Sequence, residues 1–226
     1  MLELQNVTAG YTRASVLHDV SIVVPPGKGV AITGHNGAGK TTLLRAAVGL
    51  LPIQQGKILL DGEDVTKWRA NKRVRRGVGY VPQGQLCFPQ MTTLENLQLV
   101  DGSSSAIDEV LGTFPALKDL LGRRAGLLSG GQRQQLSIAR TLLTKPRVLI
   151  LDEPTEGIQP NVVAEIERVI TELTQRGDLS VLLVEQHVGF ALRATDYFYV
   201  LESGRVTASG EGGAGAIDAV REAMAV

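Results

Sequence analysis

The sequence has one cysteine, Cys87, in 226 residues. A lone thiol closes no internal disulfide, which excludes a cystine-stapled secreted scaffold and fits a reducing compartment. There is no excess charge of either sign, since Lys and Arg number 23 and so do Asp and Glu. No global field therefore draws the chain to nucleic acid or anionic lipid. No apolar run approaches the roughly 18 residues that span a bilayer. The opening MLELQNVTAGY reads as an alternating strand and lacks the basic-then-apolar order of a signal peptide. His18, His35 and His187 are scattered and outline no metal cluster. Internal repeats and heptads are missing as well. Work at a membrane would need a partner that carries the spans.

What is present is the composition of a folded chain: 43% apolar and 20% charged residues, long enough to bury a core. Short apolar segments bounded by Gly, Pro or Asp predict strands at 2–7, 16–24, 29–33, 57–60 and 77–82. RVLILDE and SVLLVE are nearly continuous in apolar residues, as central parallel strands are. Residues 84–128 change character and predict a small helical lobe. Helical spacing of Leu136, Ala139, Leu142 and Leu143 predicts a helix over 129–144, closed by Lys145-Pro146. A second helix is expected from Pro160 to its stop at Gly177. A hairpin is expected around Ser203-Gly204, and a short helix in the tail beyond Gly210. Strand and helix alternate in the second half, which predicts an α/β fold with a mainly parallel sheet. The basic run NKRVRR, residues 71–76, reads as a solvated helix or loop face, and Cys87 as an incidental loop residue.

Three stretches carry chemistry. GHNGAGKT, residues 34–41, fits G-x-x-x-x-G-K-[ST] after a strand and before a helix. Gly34, Gly37 and Gly39 let backbone N–H groups turn inward, and those donors with the helix N-terminus suit phosphate. Lys40 adds a charge at the β/γ-phosphates, and Thr41 a hydroxyl for Mg²⁺. A chance match in a chain this long is on the order of a per cent or less. LDEPTEGIQP, residues 151–160, ends an apolar strand in an acid pair. Asp152 suits the Mg²⁺ of such a site. Glu153 points the other way along a strand and suits the attacking water as general base. LSGGQ, residues 128–132, sets a hydroxyl and N–H donors at the start of a helix, a second anion site in one chain.

LSGGQ, standing between the glycine loop and the acidic strand, resembles the signature motif of ABC transporter ATPases, and the resemblance extends over the whole chain. It implies a P-loop NTPase of the ABC type in a single domain, 1–226. Residues 1–83 and 147–226 would form the nucleotide-binding core, with an antiparallel β-subdomain at the start. Residues 84–146 would form an inserted helical subdomain that grips membrane subunits. ATP would lie on Tyr11, stacked against adenine, and on the loop Gly34, His35, Asn36, Gly37, Ala38, Gly39, Lys40, Thr41 and Thr42. Mg²⁺ would be held by Thr41, Gln83 and Asp152. Gln83, Glu153 and a switch residue, Gln186 or His187, would serve hydrolysis. Ser129, Gly130, Gly131 and Gln132 would act in trans, on the nucleotide of a second ATPase subunit packed head to tail.

Two positions depart from the common family pattern. Gln159 stands where Asp is usual, and Gln186 stands at the usual switch histidine, with His187 one residue late. Importers of branched-chain amino acids look similar at VEQ. DEPTEGIQP, GYVPQG, FPALKDLLGRR and LLVEQ resemble subunits of urea and short-amide importers. The resemblance thus implies an ATPase that energises a urea or amide importer, with a branched-chain amino-acid importer as the alternative. Its partners would be two transmembrane permeases, a homologous ATPase subunit (or a second copy) and, indirectly, a solute-binding protein, at the cytoplasmic face of the membrane. No contact with nucleic acid is expected. A soluble ABC ATPase of DNA repair or translation would place a long coiled coil or basic linkers between the motifs, and residues 42–128 hold neither. A P-loop kinase or GTPase would need base-specific or acceptor motifs, which are missing here.

Overall fold

The computed structural model describes residues 1–12 and 14–224. Residues 225 and 226, the last two of the expected 147–226 segment, lie outside that description. Four strands form an antiparallel sheet in the order β2-β1-β4-β5: β1 (Leu2–Tyr11), β2 (Ala14–Val24), β4 (Ile53–Leu60) and β5 (Glu63–Asp64). Six strands form a second sheet in the order β10-β9-β3-β8-β7-β6. Of these, β3 (Gly29–Thr33), β6 (Val78–Val81), β7 (Val148–Asp152), β8 (Ser180–Val184) and β9 (Tyr197–Glu202) run parallel. The hairpin partner β10 (Arg205–Glu211) is antiparallel at the edge.

The sequence dictates the layering. Every residue of β3, β7 and β8 is buried, which matches their unbroken apolar runs. Successive residues serve opposite faces. Val148 and Ile150 join Leu4, Ile22, Leu43 and Leu44 in a core between the sheet, helix α1 (Lys40–Val48) and the antiparallel sheet. Leu149 and Leu151 join Leu97, Phe114, Leu136, Ile166 and Phe190 in a core on the other face. That second core takes in helices α3 (Thr93–Gln98), α4 (Ser104–Thr113), α5 (Gly130–Leu143), α6 (Pro160–Gln175), α7 (Val188–Arg193) and α8 (Ile217–Met224). The lobe over 84–128 is helical, as its composition predicts. Among the described residues no helix is long and apolar enough to cross a membrane.

The structure corrects the sequence reading in places. β1 runs on to Tyr11, and β4 starts at Ile53 rather than at 57. Two short elements, β5 and α7, were not foreseen. The basic run 71–76 lies largely on α2 (Ala70–Arg75), but it is not a wholly solvated face, because Arg73 is 2% exposed. Its guanidinium donates to the carbonyls of Ala46 (2.9 Å) and Ala47 (2.7 Å) at the end of α1, and to those of Thr66 and Trp68 (both 3.1 Å). The bond to Ala47 occupies a carbonyl that the helix C-terminus leaves unpaired, and the bond to Ala46 adds to the one from Gly49 N (3.1 Å). Burial pushes Arg73 down to about 10, so it stays charged at neutral pH. Beside it, Lys72 Nζ sits 3.5 Å over the ring of Trp68. Gly49 closes α1 in the left-handed conformation (φ 85°) expected of a glycine stop.

Candidate functional site

Residues 34–39 leave the end of β3 and enter α1 with Gly34, Gly37 and Gly39 at φ 149°, 83° and 104°. At Gly34 a Cβ would strike the carbonyl oxygen of Leu201, so close approach, as well as the positive φ, requires glycine. Gly39 caps α1 without a side-chain bond, which leaves the first N–H groups of the helix free for a ligand. Lys40 is 5% exposed. Its Nζ curls back to donate to the carbonyls of Gly34 (2.7 Å) and His35 (3.1 Å), and it lies 3.7 Å from Glu153 Oε1.

The loop borders a cleft of about 490 Å³ lined by Val16, Asn36, Gly37, Gly39, Lys40, Thr41, Thr42, Gln83, Glu153, Glu156 and Gln186. Parallel pairing of β7 with β8 sets Asp152 opposite Val184, so the acid pair and the residues after β8 emerge side by side. Glu153 N donates to Val184 O (2.9 Å), and Glu153 itself takes φ 47°. Its Oε2 accepts from Gln186 Nε2 (2.9 Å) and from Gln83 Nε2 (3.3 Å). One carboxylate thus meets a lysine, a residue after β6 and a residue after β8.

Asp152 lies behind the surface that lines the cleft and is 1% exposed. Its Oδ2 accepts from Tyr80 Oη (3.3 Å), and its Oδ1 has no partner among the described residues. Burial first, and the neighbouring Glu153 carboxylate second, push Asp152 up to about 6. Burial and the Asp152 carboxylate likewise hold the Tyr80 phenol well above its usual range. A buried carboxylate oxygen with no donor, whose charge its surroundings disfavour, is an environment that a divalent cation relieves. With the Thr41 hydroxyl and the Gln83 amide at the cleft, the residues present fit Mg²⁺.

Other expected residues stand apart. Tyr11 does not line the cleft, and its phenolic oxygen accepts from Arg45 Nη1 (3.0 Å). His35 turns its ring away, with Nε2 2.6 Å from Met224 O on α8. His187 is exposed at the start of α7 and reaches no cleft partner, while Gln186 does. Ser129, Gly130, Gly131 and Gln132 lie outside the cleft of their own chain. Ser129 and Gln132 form a capping box: Ser129 N donates to Gln132 Oε1 (2.9 Å) and Gln132 N to Ser129 Oγ (3.3 Å). Gly131 packs so closely on Val162 that a Cβ there would come within 2.7 Å of it.

Two acids escaped sequence reasoning. Glu156 accepts from Gln83 Nε2 at 2.5 Å. Glu185 is buried, and its Oε1 accepts from the N (3.1 Å) and Oγ1 (2.7 Å) of Thr155, tying the turn after β7 to the end of β8. Burial raises its carboxyl, opposed by those Thr155 bonds. The available signal was a charged residue closing a buried apolar strand, which demands a partner.

A family model described as ABC transporter matches residues 17–156. Over 220 residues the chain is 38% identical to BraG of Pseudomonas aeruginosa, a high-affinity branched-chain amino acid transport ATP-binding protein, covering 95% of this chain and 94% of the relative. It is 37% identical to LivF of Archaeoglobus fulgidus, a probable branched-chain amino acid transport ATP-binding protein, covering 93% and 92%. Identity to LptB of Haemophilus influenzae, a lipopolysaccharide export system ATP-binding protein, is 36%, covering 93% and 90%. Among solved structures, a nucleotide-free ATP-binding cassette from an ABC transporter superposes with a TM-score of 0.87 at 26% identity, covering 100% of this chain and 95% of that one. A cassette in its ADP conformation gives 0.86 at 28% identity, covering 98% and 94%.

Proposed function

The chain belongs to the ABC transporter family and is an ATPase, and on that premise we propose that it energises an importer of branched-chain amino acids. The names of its relatives BraG and LivF support that solute over urea or a short amide, which rests on residues 152–160 and a few neighbouring strings. ATP binds with its phosphates on residues 34–42 and its adenine against Tyr11. Lys40 exchanges its bonds to Gly34 and His35 for β/γ-phosphate oxygens. Thr41, Gln83 and Asp152 would hold Mg²⁺, which would supply positive charge beside the phosphates. Glu153 takes the proton of the attacking water, and Gln186 orients its carboxylate through the 2.9 Å bond. The observation that carries this reading is the convergence of Lys40, Gln83 and Gln186 on that one carboxylate.

The site is completed by a second ATPase subunit, whose equivalent of residues 129–132 closes on the nucleotide. Each subunit moves its helical lobe, residues 84–146, against a transmembrane permease at the cytoplasmic face. A groove of about 410 Å³ suits that contact. Its walls include Leu50, Val74, Leu86 and Val100, four exposed apolar side chains. A solute-binding protein acts on the far side through the permeases.

Glu153→Gln is expected to lower ATP turnover at least about 100-fold with nucleotide binding intact. Unchanged turnover would remove Glu153 from its role. Uptake of labelled leucine and of labelled urea, compared in cells lacking this subunit, tests the solute. Loss of leucine uptake alone supports the proposal. Loss of urea uptake alone, or of neither, overturns it.

A further inference from the structure

We propose that Glu156 is a positioning residue that fixes the side-chain amide of Gln83, so that its carbonyl oxygen rather than its NH₂ group faces the nucleotide and its cation. The proposal rests on the function proposed above and names a further positioning residue of the same site.

Gln83 has two N–H donors, both on Nε2, and one carbonyl acceptor. Nε2 lies 2.5 Å from Glu156 Oε2 and 3.3 Å from Glu153 Oε2. Both partners are carboxylates, which only accept when ionised. Reversing the amide would set its oxygen against two anionic oxygens with no proton between them, and would lose two charge-assisted hydrogen bonds. The amide orientation therefore follows from its neighbours. With both donors engaged, Oε1 is the atom left to face a cation or a water.

Glu153 alone does this weakly. The same Oε2 already accepts from Gln186 at 2.9 Å, and Oε1 faces Lys40. Glu156 has no such competition, since Gln83 is its side-chain hydrogen-bond partner among the described residues. The turn that carries it is fixed at two points. Glu156 N donates to Glu153 O (3.2 Å), and Thr155 is bonded by N and Oγ1 to buried Glu185. The carboxylate is thus held on the cleft rim by backbone and by a neighbour of the switch residue. Gln83 follows β6, the strand that leads into the helical lobe, so the bond also joins two cleft walls that are far apart in sequence.

The test uses the full chain and the variants Glu156→Ala and Glu156→Gln. Mn²⁺ binding to the protein–ADP complex is followed by electron paramagnetic resonance. ADP binding without metal is followed by equilibrium dialysis. Glu156→Ala is expected to weaken Mn²⁺ binding about tenfold, the loss typical of removing a group that orients a metal ligand, with metal-free ADP binding unchanged. Glu156→Gln keeps an acceptor for Gln83 Nε2 and is expected to stay within about twofold of the parent for Mn²⁺. Unaltered Mn²⁺ affinity in Glu156→Ala overturns the proposal. So does an equal loss in both variants, which would point to charge rather than amide orientation. Glu156→Gln keeps the comparison open should Glu156→Ala fail to fold, because a tenfold loss in it alone is also an overturning result. Turnover of Glu153→Gln is read separately, so a failure of the hydrolysis mechanism leaves these binding results distinct.

Discussion

Asp152 and Glu153 are adjacent and acidic, yet the fold gives them opposite surroundings. Glu153 meets three donors, whereas Asp152 is sealed in with one oxygen unpaired. A carboxyl whose folded pKa is raised to about 6 favours its protonated form in the folded state. Its effect on stability is absent below the unfolded value near 3.8, grows as pH rises through the interval to about 6, and is fully unfavourable above it. Asp152→Asn should therefore stabilise the metal-free protein at pH 8 by up to about 3 kcal/mol, and the gain should vanish by about pH 4. Urea denaturation across that range measures it, and a loss of stability at pH 8 would contradict it. The acid pair, Lys40 and the glycines were legible because their spacing is local. The Gln83–Glu156 bond was not, because nothing in the sequence pairs residues 83 and 156 until β6 and β7 lie side by side.

Among elements, α1 shows how a helix that presents N–H groups at one end is secured at the other. Its C-terminal carbonyls at Ala46 and Ala47 are held by the buried Arg73 of α2. Arg73→Ala would leave the Ala47 carbonyl without its donor, take one of two donors from Ala46 and leave a cavity behind, at a cost of about 3 kcal/mol in unfolding free energy. The neighbouring exposed Arg75→Ala should change it by less than about 0.5 kcal/mol. Equal effects of the two would show that α1 does not depend on the buried guanidinium. Residues 71–76 could not reveal this, because Arg73, Arg75 and Arg76 are the same residue type and only packing separates them. Longer elements were readable: α5 and α6 by helical periodicity, β7 and β8 by unbroken apolar runs. The two residues of β5 and the six of α7 are too short for a period to emerge.

At the scale of the molecule, the sequence suggests a core and an inserted lobe, while the packing joins them. Leu97, Phe114 and Leu136 of the lobe share one apolar cluster with Leu149 and Leu151 of the central sheet. Leu43 and Leu44 bind the antiparallel sheet to the opposite face. The central sheet therefore cannot lose either layer without exposing its own buried residues. Calorimetry should show a single unfolding transition, and saturating ATP should move it upward as a unit. Two resolved transitions, with only one responding to ATP, would mean that the lobe melts alone.

The contact of Lys72 with Trp68 has a practical consequence. The chain contains one tryptophan, so all of its indole emission comes from this one ring. Trp68 lends its carbonyl to Arg73, which grips the far end of the phosphate-loop helix. A shift of that helix on filling the cleft would reach the indole's surroundings through Arg73. That single ring is a built-in optical gauge: nucleotide loading is expected to change the colour or intensity of its emission, with no dye attached.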